Sequence, residues 1–323
     1  MKPRSLRQIG WSFGLITSLG CEVSQPARGT VWVTIPPNAT LESVAESLAT
    51  HGIVRSARSF RWYVQWSGAR DALKAGVYEF PEALPIAQVA ATLRKGVAPL
   101  DTVVIPPGIT LAEAAPIFER ELGIDSNAFM RAASSALLRE RLGARGSTVE
   151  GYLLPGTHAV RVGSSAAEVL TVVTDAFASA WSSAWRDQLD SIGLDRHEVV
   201  TLASIVEGEV RHDEERPIVS SVYHNRLAMG MRLQADPTII YALQERRRLF
   251  NSDYEIDSPF NTYRYDGLPP HPINQPSTAS IEAALYPDNT NYLYFVAGPD
   301  GRHHFSSRYD EHLAAIRRLR GNS

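Results

Sequence analysis

The order of apolar and polar residues predicts a chain of many helices and a few short strands. Apolar residues recur at helical spacing over 57–66, 86–95, 127–143, 165–185, 216–229, 279–285 and 308–320. Short apolar or alternating runs predict strands over 75–80, 292–296 and 303–306, of which the last two form a hairpin. We therefore predict an α+β fold that ends in a β-hairpin and a helix.

A short pattern occurs twice, at 33–41 and at 103–111. The two copies are Val-Thr-Ile-Pro-Pro-Asn-Ala-Thr-Leu and Val-Val-Ile-Pro-Pro-Gly-Ile-Thr-Leu. Each predicts a strand, a turn at the prolines and a helix capped by its threonine, Thr40 or Thr110. In the second copy Glu113 completes a capping box. Two copies are too few for a solenoid, so we expect two small βα modules, side by side or in tandem.

A third pattern predicts a helix with an acidic residue inside its apolar face. At 100° per residue, one arc carries the side chains of Val199, Val200, Ala203, Val206 and Val210. Glu207 lies within this arc and Glu209 at its edge. A carboxyl group in apolar surroundings tends to have a raised pKa, and it can then act as a general acid. Glu207 is therefore the first candidate for a catalytic residue. The alternative is that it ends the helix beside Gly208 and faces water.

Composition places the chain among ordinary globular proteins. Its 323 residues, 44% of them hydrophobic, suggest two domains. The net charge of -3 lacks the basic excess of a nucleic-acid binder, so no nucleic-acid partner is predicted. Cys21 is the single cysteine, which excludes an intrachain disulfide framework and a cysteine-based metal site.

The remaining sequence motifs predict neither a metal site nor a cofactor. Residues 212–215, His-Asp-Glu-Glu, lack the His-Glu-x-x-His spacing, so a solvated charged turn is favoured over a metal site. His303 and His304 are neighbours in a predicted strand and therefore face opposite sides. The chain also lacks a Gly-x-Ser-x-Gly elbow, a phosphate loop and a dinucleotide fingerprint.

The N-terminus has the pattern of an export or anchor segment. Lys2, Arg4 and Arg7 precede a mildly apolar stretch at 9–19, which is about half as long as a membrane span. We predict a signal or membrane-anchor segment over 1–27. The alternatives are a lipoprotein signal ending at Cys21 and a disordered tail.

Two further groups of side chains have open interpretations. The spacing of Trp62, Tyr63 and Trp66 favours packing in a core over a sugar-stacking face. Four polar side chains lie in extended or proline-rich segments, namely Gln234, Asp236, Asn261 and Tyr263. Either these stiff segments hold groups that bind a ligand, or the prolines only shape a connection.

Seven short blocks share their sequence and their order with one known family. They lie at 74–78 (Lys-Ala-Gly-Val-Tyr), 150–155 (Glu-Gly-Tyr-Leu-Leu-Pro), 203–207 (Ala-Ser-Ile-Val-Glu), 230–238 (Gly-Met-Arg-Leu-Gln-Ala-Asp-Pro-Thr), 258–263 (Ser-Pro-Phe-Asn-Thr-Tyr), 267–270 (Gly-Leu-Pro-Pro) and 292–296 (Tyr-Leu-Tyr-Phe-Val). Together they resemble the YceG-like family of endolytic murein transglycosylases across roughly 31–316. The chain departs from the usual pattern of this family in two segments, Pro-Gly-Thr-His at 155–158 and Pro-Pro-His-Pro at 269–272. These departures concern local contacts with the substrate rather than the reaction.

The resemblance implies a domain organisation and a location. The anchor-like segment 1–27 would precede a LysM-like α/β module at 28–100. A YceG-like catalytic domain of mixed α+β structure would follow at 101–323, and its first part repeats the βα unit. The enzyme would be held in the inner membrane by a single N-terminal span, with its catalytic domain in the periplasm. Its implied partners are peptidoglycan glycan strands and peptidoglycan synthases.

The resemblance also implies a reaction, in which Glu207 matches the catalytic glutamate of the family. Cleavage of the MurNAc–GlcNAc bond within glycan strands would leave 1,6-anhydro-MurNAc ends and terminate the elongation of nascent strands. The candidate substrate-binding residues are Glu150, Gln234, Asp236, Asn261 and Tyr263. Three alternatives remain open: a muramidase that uses Asp236 as its base, a non-catalytic peptidoglycan-binding module, and a scaffold for division or synthesis.

Overall fold

The computed structural model describes residues 30–36, 39–68, 73–81, 84–96 and 100–321. The predicted anchor segment at 1–27 lies outside these residues. The chain divides into two compact units, Met1–Val97 and Ala98–Ser323. Within the described ranges, no helix combines the length and the hydropathy needed to cross a membrane.

The first unit is a small α+β structure around one two-stranded sheet. Its elements are β1 (Thr30–Ile35), α1 (Leu41–Thr50), α2 (Ala57–Trp66), β2 (Gly76–Pro81) and α3 (Ile86–Lys95). The strands are antiparallel, with Ile35 opposite Gly76. Thr40 caps α1 as the repeat predicts, since its side chain accepts from the Ser43 N–H. The resemblance of this unit to LysM modules stays a prediction.

The prediction that the α2 aromatics pack in a core is wrong for both tryptophans. Trp62 and Trp66 are 65% and 74% exposed, and their rings stack on each other on the outside of the helix. The α2 residues that enter the core are Phe60 and Val64, which have the same spacing of four. Spacing alone therefore identifies two apolar stripes on this helix but not the one that is buried.

The second unit contains a two-stranded sheet, ten α-helices and a terminal hairpin in its described part. The elements are β3 (Leu100–Ile105), α4 (Leu111–Leu122), α5 (Ser126–Ala133), α6 (Ala136–Leu142), β4 (Gly156–Arg161), α7 (Ala166–Ala180), α8 (Ser183–Ile192), α9 (Arg196–Glu209), α10 (Arg216–Ala228), α11 (Asp236–Leu243), α12 (Thr278–Leu285), β5 (Tyr294–Ala297), β6 (His303–Ser306) and α13 (Tyr309–Gly321). The second copy of the repeat forms β3 and α4, and Ile105 pairs with Gly156 of β4 as Ile35 pairs with Gly76. The predicted α+β class is confirmed.

Several predicted elements of this unit differ from the structure at their ends. The single helix expected over 127–143 is divided into α5 and α6, because the Ser135 side chain caps a new helix. Ser182 likewise separates α7 from α8 within the helix expected at 165–185. Serine side chains bond to backbone N–H groups and so start helices inside an apolar periodicity. The strand β4 and the helix α11 were not predicted.

Helix α9 runs through the core of the second unit. A capping box formed by Asp195 and Glu198 starts it, and every residue from 199 to 206 is buried. It packs against α12, α10 and α11. Because this helix is buried on all sides, it has no face toward solvent. The apolar arc that the sequence predicts therefore does not determine the direction of the Glu207 side chain. That is decided by its place at the end of the helix, where α9 meets a cleft.

Candidate active site

A cleft of about 400 Å³ lies in the second unit and contains Glu207. One wall is the segment 107–113, which comprises the turn after β3 and the first residues of α4 and is called the lip below. The opposite wall is formed by α11 and the residues that follow it, including Tyr241 and Arg246. Glu207 and Gly208 at the end of α9, with Ile273 and Asn274, complete the lining.

Glu207 is held by hydrogen-bond donors rather than by apolar atoms. Its side chain is only 6% exposed and forms an ion pair with Arg216, itself 10% exposed. The Ser277 N–H and Oγ donate to Glu207 Oε2 at 3.0 and 2.6 Å. Ser277 is the N-cap of α12, so the carboxylate lies at a helix N-terminus, where the backbone dipoles favour an anion.

The two carboxylate oxygens of Glu207 have different surroundings. Oε2 also accepts from Ser280 Oγ at 2.8 Å and from Arg216 Nη1 at 3.2 Å. Oε1 has a single long contact, 3.5 Å from Arg216 Nη2. Oε1 is therefore the oxygen that retains capacity for a proton or for a bond to a ligand.

Two glycines meet different requirements of the backbone at this site, a close approach at Gly208 and a positive φ at Gly108. A side chain at Gly208 would lie 2.7 Å from Cβ of Pro237, so α9 and α11 meet only because this residue has no Cβ. Gly108, in the lip, has a φ of +73°, and a Cβ there would be 3.6 Å from Cγ of Glu207. The lip is thus placed directly beside the catalytic candidate.

An ion pair joins the lip to the opposite wall of the cleft. Arg246, which follows α11, pairs with Glu113 of α4 and donates to the Gly108 carbonyl. Both charged side chains are partly exposed. Burial acts to raise the pKa of Glu113, but the contact with Arg246 and the bond from the Thr110 N–H together hold this pKa below its usual value.

Glu150 is buried in the structure and does not line the cleft. It is 5% exposed and accepts from the Leu111 N–H at 3.0 Å, at the start of α4. Gln275 Nε2 donates to it at 2.5 Å. Burial raises the pKa of Glu150 to about 8, although the Leu111 N–H acts in the opposite direction. Its place supports a role in holding the lip rather than the predicted contact with sugar.

The other four predicted binding residues form one group next to α11. Asn261 is fully buried and fixes its own loop, donating to two carbonyl groups and accepting from the Tyr263 N–H. Tyr263 donates to the exposed Asp236 at 2.6 Å. Gln234 is exposed, and its φ of +50° is rare for a residue with a side chain. Of these residues, Asp236 and Gln234 expose polar groups that a ligand can reach.

A second acidic residue, Glu209, lies two positions beyond Glu207. It accepts from the Tyr223 hydroxyl at 2.9 Å. Burial raises the pKa of Glu209 to about 7, while the bond from Tyr223 lowers it. Glu209 does not line the cleft, and its bond from Tyr223 connects it to α10.

The acidic turn at 212–215 forms ion pairs and is not arranged as a metal centre. Glu215 is buried and contacts Nδ1 of His303 at 2.7 Å, whereas His304 is exposed on the other side of β6. Asp213 and Glu214 pair with Arg216 and Arg302. Among the residues that the structure describes, no group of three or more His, Cys, Asp or Glu side chains is placed to hold a metal ion.

Sequence reasoning missed the residues that hold Glu207. Ser277 and Ser280 are distant from Glu207 in sequence, and Arg216, although nearer, belongs to a different helix, so all three meet it only in the folded unit. The available signal was Ser277 itself, because a serine just before a predicted helix is a typical N-cap and marks a helix N-terminus. Gln275, which bonds to Glu150, carried no signal of its own.

The amino-acid sequence places the chain in a known family. The model of the YceG-like family matches residues 33–318, and the chain belongs to that family. The family predicted from the seven blocks is confirmed.

Individual relatives are similar over most of the chain. A Bacillus subtilis (strain 168) protein named endolytic murein transglycosylase is 28% identical, over 95% of this chain and 89% of its own length. A Streptococcus pneumoniae (strain D39) protein of the same name is also 28% identical, over 95% of this chain, which spans 62% of that relative. The crystal structure of a YceG-like protein from Listeria monocytogenes has a TM-score of 0.62 and 31% identity, covering 90% of this chain and all of that one.

Proposed function

We propose that this protein is an endolytic lytic transglycosylase of peptidoglycan, with Glu207 as its acid/base residue. The observation that carries the proposal is a nearly buried glutamate in the lining of a cleft, with one carboxylate oxygen fixed by four donors and the other left available. The names of the relatives in Bacillus and Streptococcus support the substrate and the reaction.

The proposed reaction needs one carboxyl group. Protonated Glu207 donates through Oε1 to the oxygen that links MurNAc to GlcNAc, and the bond from that oxygen to C1 of MurNAc breaks through an oxocarbenium-like transition state. The C6 hydroxyl of the same sugar then bonds to C1 and gives its proton to Glu207, now a carboxylate acting as base. The products are a 1,6-anhydro-MurNAc end and a GlcNAc hydroxyl, and no water is consumed.

The groups around Glu207 support both halves of this cycle. Arg216 and the N-terminus of α12 stabilise the carboxylate that forms when the proton leaves. Ser277 and Ser280 fix Oε2 and so orient Oε1. A general acid must be held within hydrogen-bond reach of the atom that it protonates, which is what this rigid set of contacts supplies.

The test is a digest of purified peptidoglycan by wild type and by Glu207→Gln, read by mass spectrometry of the released fragments. The amide keeps the shape of the side chain but cannot donate the proton. We expect anhydro-MurNAc ends from wild type and a rate at least ~100-fold lower in the variant. Near-normal turnover by Glu207→Gln would refute the assignment of this residue.

The same digest separates the alternatives. Hydrated reducing ends would indicate a muramidase and direct attention to Asp236, the exposed carboxylate at the first residue of α11. Binding to peptidoglycan without cleavage, on a substrate that a known muramidase digests, would favour a binding module. A Glu207→Gln variant that still complements a deletion strain would favour a scaffold.

We further propose that the enzyme acts outside the cytoplasm, held in the inner membrane by residues 1–27, beside peptidoglycan synthases, and that its cleavage ends nascent strands. The support is the cell-wall substrate in the names of the relatives together with the charge and hydropathy of the N-terminal sequence. Membrane fractionation of the full chain and of a chain lacking 1–27 tests the anchor. Equal recovery of both in the membrane fraction would contradict it.

A further inference from the structure

Gln275 connects the two parts of the protein that meet at Glu207. Its backbone bonds to the lip in both directions, since the Gly108 N–H donates to the Gln275 carbonyl and the Gln275 N–H donates to the Ile109 carbonyl, each at 2.8 Å. Two residues later, Ser277 donates to Glu207. The lip and the donor of the catalytic candidate are thus joined through one short segment.

The side chain of Gln275 is fully buried and bonded at both ends. Its Nε2 donates to Glu150 at 2.5 Å, and its Oε1 accepts from the Leu153 N–H at 2.9 Å. Glu150 in turn accepts from the Leu111 N–H, at the first residue of α4. The two side chains, called the Glu150–Gln275 pair below, therefore fix the segment at 275–277 and the start of α4 to a common point.

We propose that Gln275 is a positioning residue of the catalytic site, which acts through Ser277 and the lip to set the place of Glu207 Oε1 in the cleft. This inference rests on the proposed function. Gln275 does not line the cleft, so it acts on the reaction only through the groups that it holds. A displacement of about 1 Å in a reacting group is enough to reduce a rate ~100-fold. A small shift of the groups that the Glu150–Gln275 pair holds would therefore lower the turnover rate.

The pair allows an exchange that conserves its hydrogen bonds. In the double variant Glu150→Gln with Gln275→Glu, the new amide accepts from the Leu111 N–H and donates to the new carboxylate. That carboxylate also accepts from the Leu153 N–H, so each bond of the wild type has a counterpart. The single variant Gln275→Glu instead places two carboxyl groups in buried contact.

The single variant has a distinctive dependence on pH. Two carboxyl groups in contact can form a hydrogen bond while at least one of them is protonated, and they repel each other once both are ionised. The ionisable neighbours are Glu113 of α4, whose charge adds to the repulsion, and Tyr241 of α11. We expect Gln275→Glu to approach wild-type turnover near pH 5.5 and to fall at least ~10-fold below it near pH 8.5.

The experiment measures kcat and KM for anhydro-end release from glycan strands, as a ratio to wild type at each pH. Gln275→Ala should lower kcat ~10-fold at every pH with KM changed less than ~2-fold, because the cleft lining is intact. The exchanged double variant should recover to within ~3-fold of wild type and lose the pH dependence. Gln188→Glu is the matched control, because Gln188 donates to the Leu285 carbonyl at the opposite end of α12, and it should show neither effect.

A purely structural role predicts a different set of results. It would lower the melting temperature or the active fraction of each variant, while the kcat of the folded enzyme and its pH profile stay as in wild type. Amide hydrogen exchange at Gly108 and Ser277 gives a readout without substrate, and both should exchange faster in Gln275→Ala. Wild-type kcat in Gln275→Ala, or no recovery in the double variant, overturns the proposal, whereas a wild type that forms no anhydro ends overturns the proposed function.

Discussion

Glu207 and Glu150 are two nearly buried carboxyl groups of the same unit, and both accept from a backbone N–H at the start of a helix. Their other partners differ. Glu207 has the charge of Arg216 and two serine hydroxyls, whereas the groups that donate to Glu150 are neutral amides. Burial accordingly raises the pKa of Glu150 to about 8.

Under the proposed function, this difference separates a reactive carboxyl group from a structural one. A helix N-terminus is common to both, so it does not by itself mark the catalytic residue. What distinguishes Glu207 is a compensated charge together with a place in the cleft lining. The carboxylate formed after proton transfer is stabilised there, while Glu150 can ionise only at the cost of an uncompensated buried charge.

Among the variants that test this comparison, the largest loss of stability is expected from Arg216→Gln, which removes the positive charge that pairs with Glu207. Removing one partner of a buried ion pair leaves the other uncompensated, so the free energy of unfolding should fall by about 3–5 kcal/mol. Urea denaturation measures the loss. In the double variant with Glu207→Gln both charges are absent, and a smaller loss is expected. An equal loss in both proteins would show that packing, not charge, accounts for the effect.

The next largest effect is the pH dependence of stability that Glu150 causes. Because the folded pKa of Glu150 is raised above the unfolded value, the folded state keeps a proton that the unfolded state loses. This contribution to stability is complete below about pH 4.5 and is lost as the pH rises through about 8. The slope is about 1.4 kcal/mol per pH unit, or roughly 3 kcal/mol between about pH 5.5 and 7.5. Glu150→Gln should remove this slope in urea titrations, and an unchanged slope would assign the pH dependence to other groups.

The sequence was informative about Glu207 and about elements with strong local signals. Both copies of the repeat could be predicted because prolines, a capping threonine and helical spacing are all local. The partners of Glu207 could not be predicted, since Arg216 and Ser277 reach it from separate helices. Trp62 and Trp66 show the same limit on a smaller scale, because burial depends on which stripe of α2 meets the rest of the unit.

A smaller effect is expected from the two serines that bond to Glu207. Ser277→Ala removes one Oγ donor to Oε2 and the side-chain cap of α12. Ser280→Ala removes one Oγ donor to Oε2 and the hydroxyl that accepts from Arg216 Nη1. A hydrogen bond to a charged group contributes about 1.5–3 kcal/mol. We therefore expect ~10-fold lower kcat in each variant, with additional loss of about 1 kcal/mol of stability in Ser277→Ala. A melting temperature of Ser277→Ala equal to that of wild type would contradict the capping role.

The smallest effect is expected at Asp236, and it decides whether a second carboxyl group takes part in the reaction. Asp236 is exposed and accepts from the hydroxyls of Tyr254 and Tyr263, and the amide oxygen of Asp236→Asn can accept the same bonds. A lytic transglycosylase uses the substrate's own hydroxyl, so turnover should change by less than ~3-fold and the ends should stay anhydro. A hydrolase needs a second carboxylate to activate water, and Asp236→Asn would then lose ~100-fold and stop forming hydrated ends. Asp266→Asn, at an exposed aspartate paired with Arg232, is the control for a change of surface charge.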